Sequence, residues 1–307
     1  MKKTMLSLLL SGLLLLTACG GGTAATPAPA EDDDTIHILA TTYPVYLFTT
    51  AVTDGVEGVE VARLIQEEIS CLHDYTLTVN DMKAIEAADI IVMNGVGLED
   101  FMSDALAASD APVIDCSERV ELLPAMGHEG HDHDTEYDPH IWMDPSIAQE
   151  MMAHIAVELS ELLDGEDWAG QFHTGQLAAK DRLEQARQRW AEKLAPLSGA
   201  GLITFHDGFQ YFAQATGLDL LKAIEEEEGA EASASEIMEI VELVEAHDIP
   251  AIFTEKNGSD ATAQAIARET GCAVYPLDLI MSGEGSGIQP YVDAMDQNID
   301  TILEALG

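Results

Sequence analysis

The chain has 307 residues, 47% of them hydrophobic, enough apolar material for one large or two medium folded domains. Thirteen Lys and Arg stand against 56 Asp and Glu, a formal net charge of −43. Such a surface repels nucleic acid and anionic lipid and attracts cations, which excludes a nucleic-acid partner without by itself selecting a metal.

Lys2 and Lys3 make a short basic start, and residues 4–18 are almost all apolar or small. That run is shorter than the ~20 residues a membrane-spanning helix needs, so residues 1–18 read as a signal peptide. It closes on Leu16-Thr17-Ala18-Cys19 and three glycines, a pattern that resembles the bacterial lipobox. On that reading Cys19 is lipidated, becomes the first mature residue, and holds the protein to the outer face of the cell membrane. Residues 19–34 are rich in Gly, Ala, Thr and Pro, then acidic, and form a flexible tether.

Strand-like and helix-like patterns alternate from residue 35 on. The first half reads as strands at 36–40, 59–65, 89–94 and 112–115, with helices at 44–54, 79–88 and 98–108. A His-rich acidic segment, 127–136, precedes Asp144-Pro145-Ser146, which has the form of a helix start. Residues 146 to about 194 are helix-compatible, with Gly165 and Gly175 as candidate interruptions, and Pro196 ends the stretch. The second half repeats the pattern, with strands at 201–205, 218–224, 250–254 and 272–277 and helices at 207–216, 233–247, 260–270 and 289–305. Strand–helix alternation indicates parallel sheets. The expected architecture is an α/β protein of two lobes, 35–144 and 197–307, joined by a connecting helix over 145–196.

Four potential metal ligands occupy similar places in these units. His73 lies in the loop after the second strand and His140 just before the long helical stretch. His206 and Asp278 each directly follow a strand. Open α/β sheets bind ligands at the carboxyl ends of their strands, so a cleft between two such sheets would gather all four.

The matching stretches are His73-Asp74-Tyr75, the run Ala88 to Glu99 (ADIIVMNGVGLE), Asp138-Pro139-His140-Ile141-Trp142-Met143-Asp144-Pro145, the run His206 to Phe212 (HDGFQYF), and Leu277-Asp278. In these the chain, from about residue 36 to its end, resembles the cluster A-I solute-binding receptors of zinc and manganese ABC importers. The resemblance implies two α/β lobes joined by a long backbone helix, one metal at their interface, and delivery to a membrane permease driven by a separate ATPase. Carried over residue by residue, the family's ligands fall on His73, His140, His206 and Asp278.

Neutral imidazoles with one carboxylate form a tetrahedral-capable, borderline-soft set that suits Zn²⁺. Manganese-type members tend to have a carboxylate where this chain has His206, so zinc is the expected cargo, with Mn²⁺ or iron as the alternative. The chain departs from the family at the first ligand, where Cys71-Leu72 stands in place of the usual proline. Cys71 is thus a further candidate donor. His128, His131 and His133, with Glu129, Asp132 and Asp134, form a segment expected to collect metal weakly. Glu255, ending a strand, is the candidate to hydrogen-bond a ligand histidine. Cys71, Cys116 and Cys272 allow at most one disulfide.

A closed shell of protein ligands suits capture rather than catalysis. The leading expectation is therefore a non-enzymatic, monomeric, extracytoplasmic receptor, lipid-anchored through Cys19, whose partners are a divalent metal ion and an ABC permease. A zinc hydrolase is the competing class, although no His-Glu-x-x-His or Gly-x-Ser-x-Gly motif occurs. A surface adhesin or metal buffer is the third.

Overall fold

A computed structural model describes residues 35–67, 72, 75–126, 136–163, 165, 168–224 and 234–307. The proposed leader and tether, His73, Cys71 and the His-rich segment 127–135 lie outside the described residues. Residues Thr35–Gly307 form one compact unit.

The first sheet comprises β1 (Ile36–Ala40), β2 (Val59–Arg63), β3 (Ile90–Met93) and β4 (Val113–Asp115), all parallel, in the order β2-β1-β3-β4. The second comprises β5 (Gly201–Thr204), β6 (Asp219–Ala223), β7 (Ala251–Glu255) and β8 (Ala273–Leu277), parallel again, in the order β6-β5-β7-β8. Continuous apolar strands such as Ile90-Ile91-Val92-Met93 suit a parallel sheet covered on both faces.

Helices α1 (Tyr43–Val52), α2 (Val79–Ala87) and α3 (Ser103–Ala108) serve the first sheet. Helix α2 starts on a capping box in which Asp81 N–H donates to Thr78 Oγ1 and Thr78 N–H donates to the Asp81 carboxylate. The helical stretch after residue 144 divides into α4 (Pro145–Leu162) and α5 (Trp168–Leu194). Asp144 caps α4, and Leu163, with extended backbone, ends it. At 27 residues, α5 is the long backbone helix and spans ~40 Å. Gly175 does not interrupt α5. A Cβ there would meet Val52 O at 2.3 Å, so glycine lets α5 lie directly on the end of α1. Helices α6 (Gln210–Thr216), α7 (Ala234–Ala246), α8 (Ala261–Thr270) and α9 (Gln289–Leu306) complete the second half.

One apolar core runs through both sheets and α4, α5 and α9, with Phe48, Trp142, Phe172, Phe212 and Tyr291 fully buried. A smaller one packs Ile203 and Ile252 of the second sheet against Ile240, Val244 and Ile266 of α7 and α8. Three polar links tie the halves together beside the sheet ends. Trp142 Nε1 donates to Leu279 O at 2.8 Å, Tyr291 Oη to Trp142 O at 2.7 Å, and Leu123 N to Tyr211 Oη at 2.9 Å. Burial pushes the Tyr211 hydroxyl up to about 12 and raises Tyr291 well above its ordinary value, so both stay neutral and serve as hydrogen-bonding groups. Cys116 and Cys272 are free thiols. Among the described residues no helix is long and apolar enough to cross a membrane.

Candidate metal centre

In each sheet the chain reverses winding direction beside its first strand, between β1 and β3 and between β5 and β7. Such switch points open a crevice at the carboxyl ends of the strands. His206 follows β5 at one of them. Asn94 follows β3 at the other and reaches the segment that carries His140.

That reach depends on Glu99. Gly95, Val96 and Gly97 take successive positive φ values of 87°, 58° and 78°. The turn aims Asn94 N–H and Gly95 N–H at the buried Glu99 carboxylate, at 2.8 and 3.0 Å, and Thr41 Oγ1 donates to it at 2.7 Å. Burial, opposed by these donors, pushes Glu99 up to about 7. Asn94, so held, donates through Nδ2 to Pro139 O at 2.9 Å and positions the residue before His140.

His140 is buried. Its Nδ1 lies 2.8 Å from Asp138 Oδ1, which also accepts from His140 N–H at 2.9 Å. Asp138 therefore holds hydrogen on Nδ1 and leaves the Nε2 lone pair for a metal, the carboxylate–histidine arrangement of many metal sites. The ring packs 5.2 Å from Trp142. The His206 ring stands edge-on to it, with centroids 4.9 Å apart. Gly208 N–H donates to His206 Nδ1 at 2.9 Å, and Asp207 Oδ1 lies 3.1 Å from the same nitrogen. With Nδ1 accepting from Gly208 N–H, the neutral ring carries its hydrogen on Nε2; for Nε2 to bind a metal, the hydrogen must move to Nδ1, where Asp207 Oδ1 replaces Gly208 N–H as the partner. Ligating atoms of His140, His206 and Asp207 all lie within 4.8 Å of one another, the one such group of three among the described residues.

The fold thus brings His140 and His206 together. It does not add Asp278 to that group. Asp278 stands at the carboxyl end of β8 with Oδ2 2.9 Å from Lys256 Nζ, while its neighbour Leu279 reaches the Trp142 indole. Glu255 is buried at the last position of β7, in register with Leu277. His73, His128, His131 and His133 lie outside the described residues, but Leu72 is buried and Tyr75 donates to Asp81 Oδ2 at 3.1 Å. Sequence reasoning missed Asp138 and Asp207 as partners of the two histidines. The signal was present as an aspartate two residues before one histidine and directly after the other.

The family model described as "ZnuA: Zinc-uptake complex component A periplasmic" matches residues 38–305. The zinc-binding lipoprotein AdcA of Streptococcus pneumoniae strain R6 is 28% identical over 307 residues, covering 95% of this chain and 60% of the relative, so the chain spans about three fifths of that protein's length. The manganese-binding lipoprotein MntA of Halalkalibacterium halodurans is 24% identical over 242 residues, covering 76% of this chain and 77% of the relative. The crystal structure of the Zn(II)-bound ZnuA-like domain of S. pneumoniae AdcA superposes with a TM-score of 0.72 at 26% identity, over 88% of this chain and 98% of that one.

Proposed function

The chain belongs to the family of component A of the periplasmic zinc-uptake complex, and from that premise we propose that it is an extracytoplasmic receptor that captures Zn²⁺ and hands it to an ABC permease. The observation that carries this reading is the convergence of His140 and His206, 66 residues apart, each backed by an aspartate beside its Nδ1. Two pre-oriented imidazoles with carboxylates at hand form a nitrogen-rich donor set, which suits zinc better than manganese. His73 and one carboxylate, Asp278 or Asp207, complete the shell in this proposal. Glu255 supports it from behind, and His128, His131 and His133 feed it with loosely held ions. Lipid on Cys19 keeps the receptor at the outer face of the membrane, beside its permease. The family's uptake role favours this reading over a zinc hydrolase.

Relatives named for zinc and for manganese both occur, so the cargo needs its own test. Elemental analysis of the purified mature chain should give one tightly held zinc. His140→Ala and His206→Ala should each abolish it, and zinc should raise the melting temperature more than manganese at equal free concentration. Tight zinc binding that survives both substitutions overturns the assignment. A larger stabilisation by manganese reverses the choice of cargo. Comparing Asp278→Ala with Asp207→Ala identifies the carboxylate ligand, as the larger loss of affinity marks it.

A further inference from the structure

Parallel register pairs Glu255, the last residue of β7, with Leu277, the last of β8. The next residues, Lys256 and Asp278, are therefore neighbours at the carboxyl edge of the sheet. Lys256 N–H extends the ladder by donating to Leu277 O at 2.8 Å, and its ammonium lies 2.9 Å from Asp278 Oδ2. One residue on, Asn257 Nδ2 donates to Ser282 Oγ at 3.1 Å, which keeps the two loops side by side.

Everything else about Asp278 is fixed. Oδ1 accepts from Ile280 N–H at 2.7 Å, while the buried Asn298 bonds both the backbone N–H and the C=O of Asp278, each at 2.8 Å. Oδ2 is the oxygen that remains for a cation, and Lys256 holds it. The Lys256 side chain is 56% exposed against 16% for Asp278. The ammonium thus reaches in from solvent and can leave without disturbing the core.

We propose that Lys256 is a tethered competitor for the metal. This rests on the receptor reading above and deepens it. The ammonium takes the position beside Oδ2 that a dication's charge would take, and metal capture displaces it into solvent, because two cations on one carboxylate oxygen repel. When metal leaves, Lys256 returns and neutralises Asp278 again. The competition weakens affinity and speeds release, which suits a receptor whose task ends in hand-over.

The test is a chelator-competition titration with ZnCl₂ on the mature chain, with zinc release into excess EDTA followed by stopped flow. Lys256→Met should bind zinc roughly fivefold tighter, the upper range for a solvent-exposed ion pair, and release it more slowly by a similar factor. In an Asp278→Asn background the same substitution should change neither quantity. Equal or weaker binding by Lys256→Met overturns the proposal. An equal gain in the Asp278→Asn background also overturns it, since that would reflect bulk charge. A wild-type protein that does not bind zinc defeats the receptor reading and this proposal with it; a wild-type protein that binds zinc no differently from Lys256→Met defeats this proposal alone. Melting curves of the metal-free variants verify that each is folded.

Discussion

Gly208→Ala is a sharp test of how the two histidines are held. A methyl at Gly208 would fall 2.8 Å from His140 Cδ2, 3.0 Å from His140 Cγ and 2.8 Å from Leu279 Cδ2. Carbon atoms in contact prefer about 3.5–4.0 Å, so something must yield by well over half an ångström. The backbone is not the obstacle, because Gly208 is outside the left-handed region that excludes alanine. Leu279 can turn its terminal methyl away. His140 has less freedom, with Nδ1 bound to Asp138 at 2.8 Å and its buried ring against Trp142. Overpacking of this kind costs about 1–3 kcal/mol. Relieved by rotating the imidazole, that cost appears as zinc affinity weakened by about five- to 150-fold, since about 1.4 kcal/mol is a factor of ten. Any part left as strain lowers the melting temperature by ~2–4 °C per kcal/mol. Chelator competition with parallel melting of the metal-free protein measures both. Unchanged affinity with unchanged melting would refute the packing of His140 against the turn after β5.

Other substitutions probe the frame around the site. Gly175→Ala gains about 1 kcal/mol of helix propensity but drives a methyl to 2.3 Å from Val52 O, so net destabilisation of up to about 2 kcal/mol is expected in urea unfolding. Stabilisation would show that α5 does not lie on α1 as described. Glu99 sits at about 7 in the folded protein against an ordinary 4.5, so the folded state binds the proton more readily than the unfolded one. Stability should therefore fall as pH rises from about 4.5 through about 7, by about 3 kcal/mol from this group at about 1.4 kcal/mol per pH unit. Glu99→Gln, which cannot ionise, should remove that component, and identical pH slopes for the two proteins would reject it. Asn94→Ala deletes the bond to Pro139 O and should weaken zinc binding without loss of any ligand. Unchanged affinity would mean the segment carrying His140 holds its place unaided.

Much of this architecture was legible in the amino-acid order. The strand Ile90-Ile91-Val92-Met93 announces itself because a parallel sheet buried on both faces favours an unbroken apolar run. The candidacy of His140 and His206 was legible because each lies in a stretch that resembles a family motif, and His206 also closely follows a strand. The less legible features depend on pairings between distant segments. That Lys256 meets Asp278 follows only once β7 and β8 are known to be neighbours in register. The role of Asp207 depends on the local fold around the His206 ring, where Gly208 N–H and the carboxylate meet one nitrogen. The break between α4 and α5 was legible in Gly165, a candidate interruption that lies between Leu162 and Trp168. Gly175 is by residue type only a candidate interruption, and the close approach of α1 explains that glycine instead.

The central claim is that imidazoles from both halves of the chain bind one zinc ion. Zinc X-ray absorption on protein loaded with one equivalent tests it most directly. The expected spectrum has nitrogen and oxygen scatterers alone at about 2.0–2.1 Å, with imidazole outer-shell features that weaken in His140→Ala and again in His206→Ala. A sulfur shell at about 2.3 Å, or a spectrum that neither substitution alters, would contradict the account.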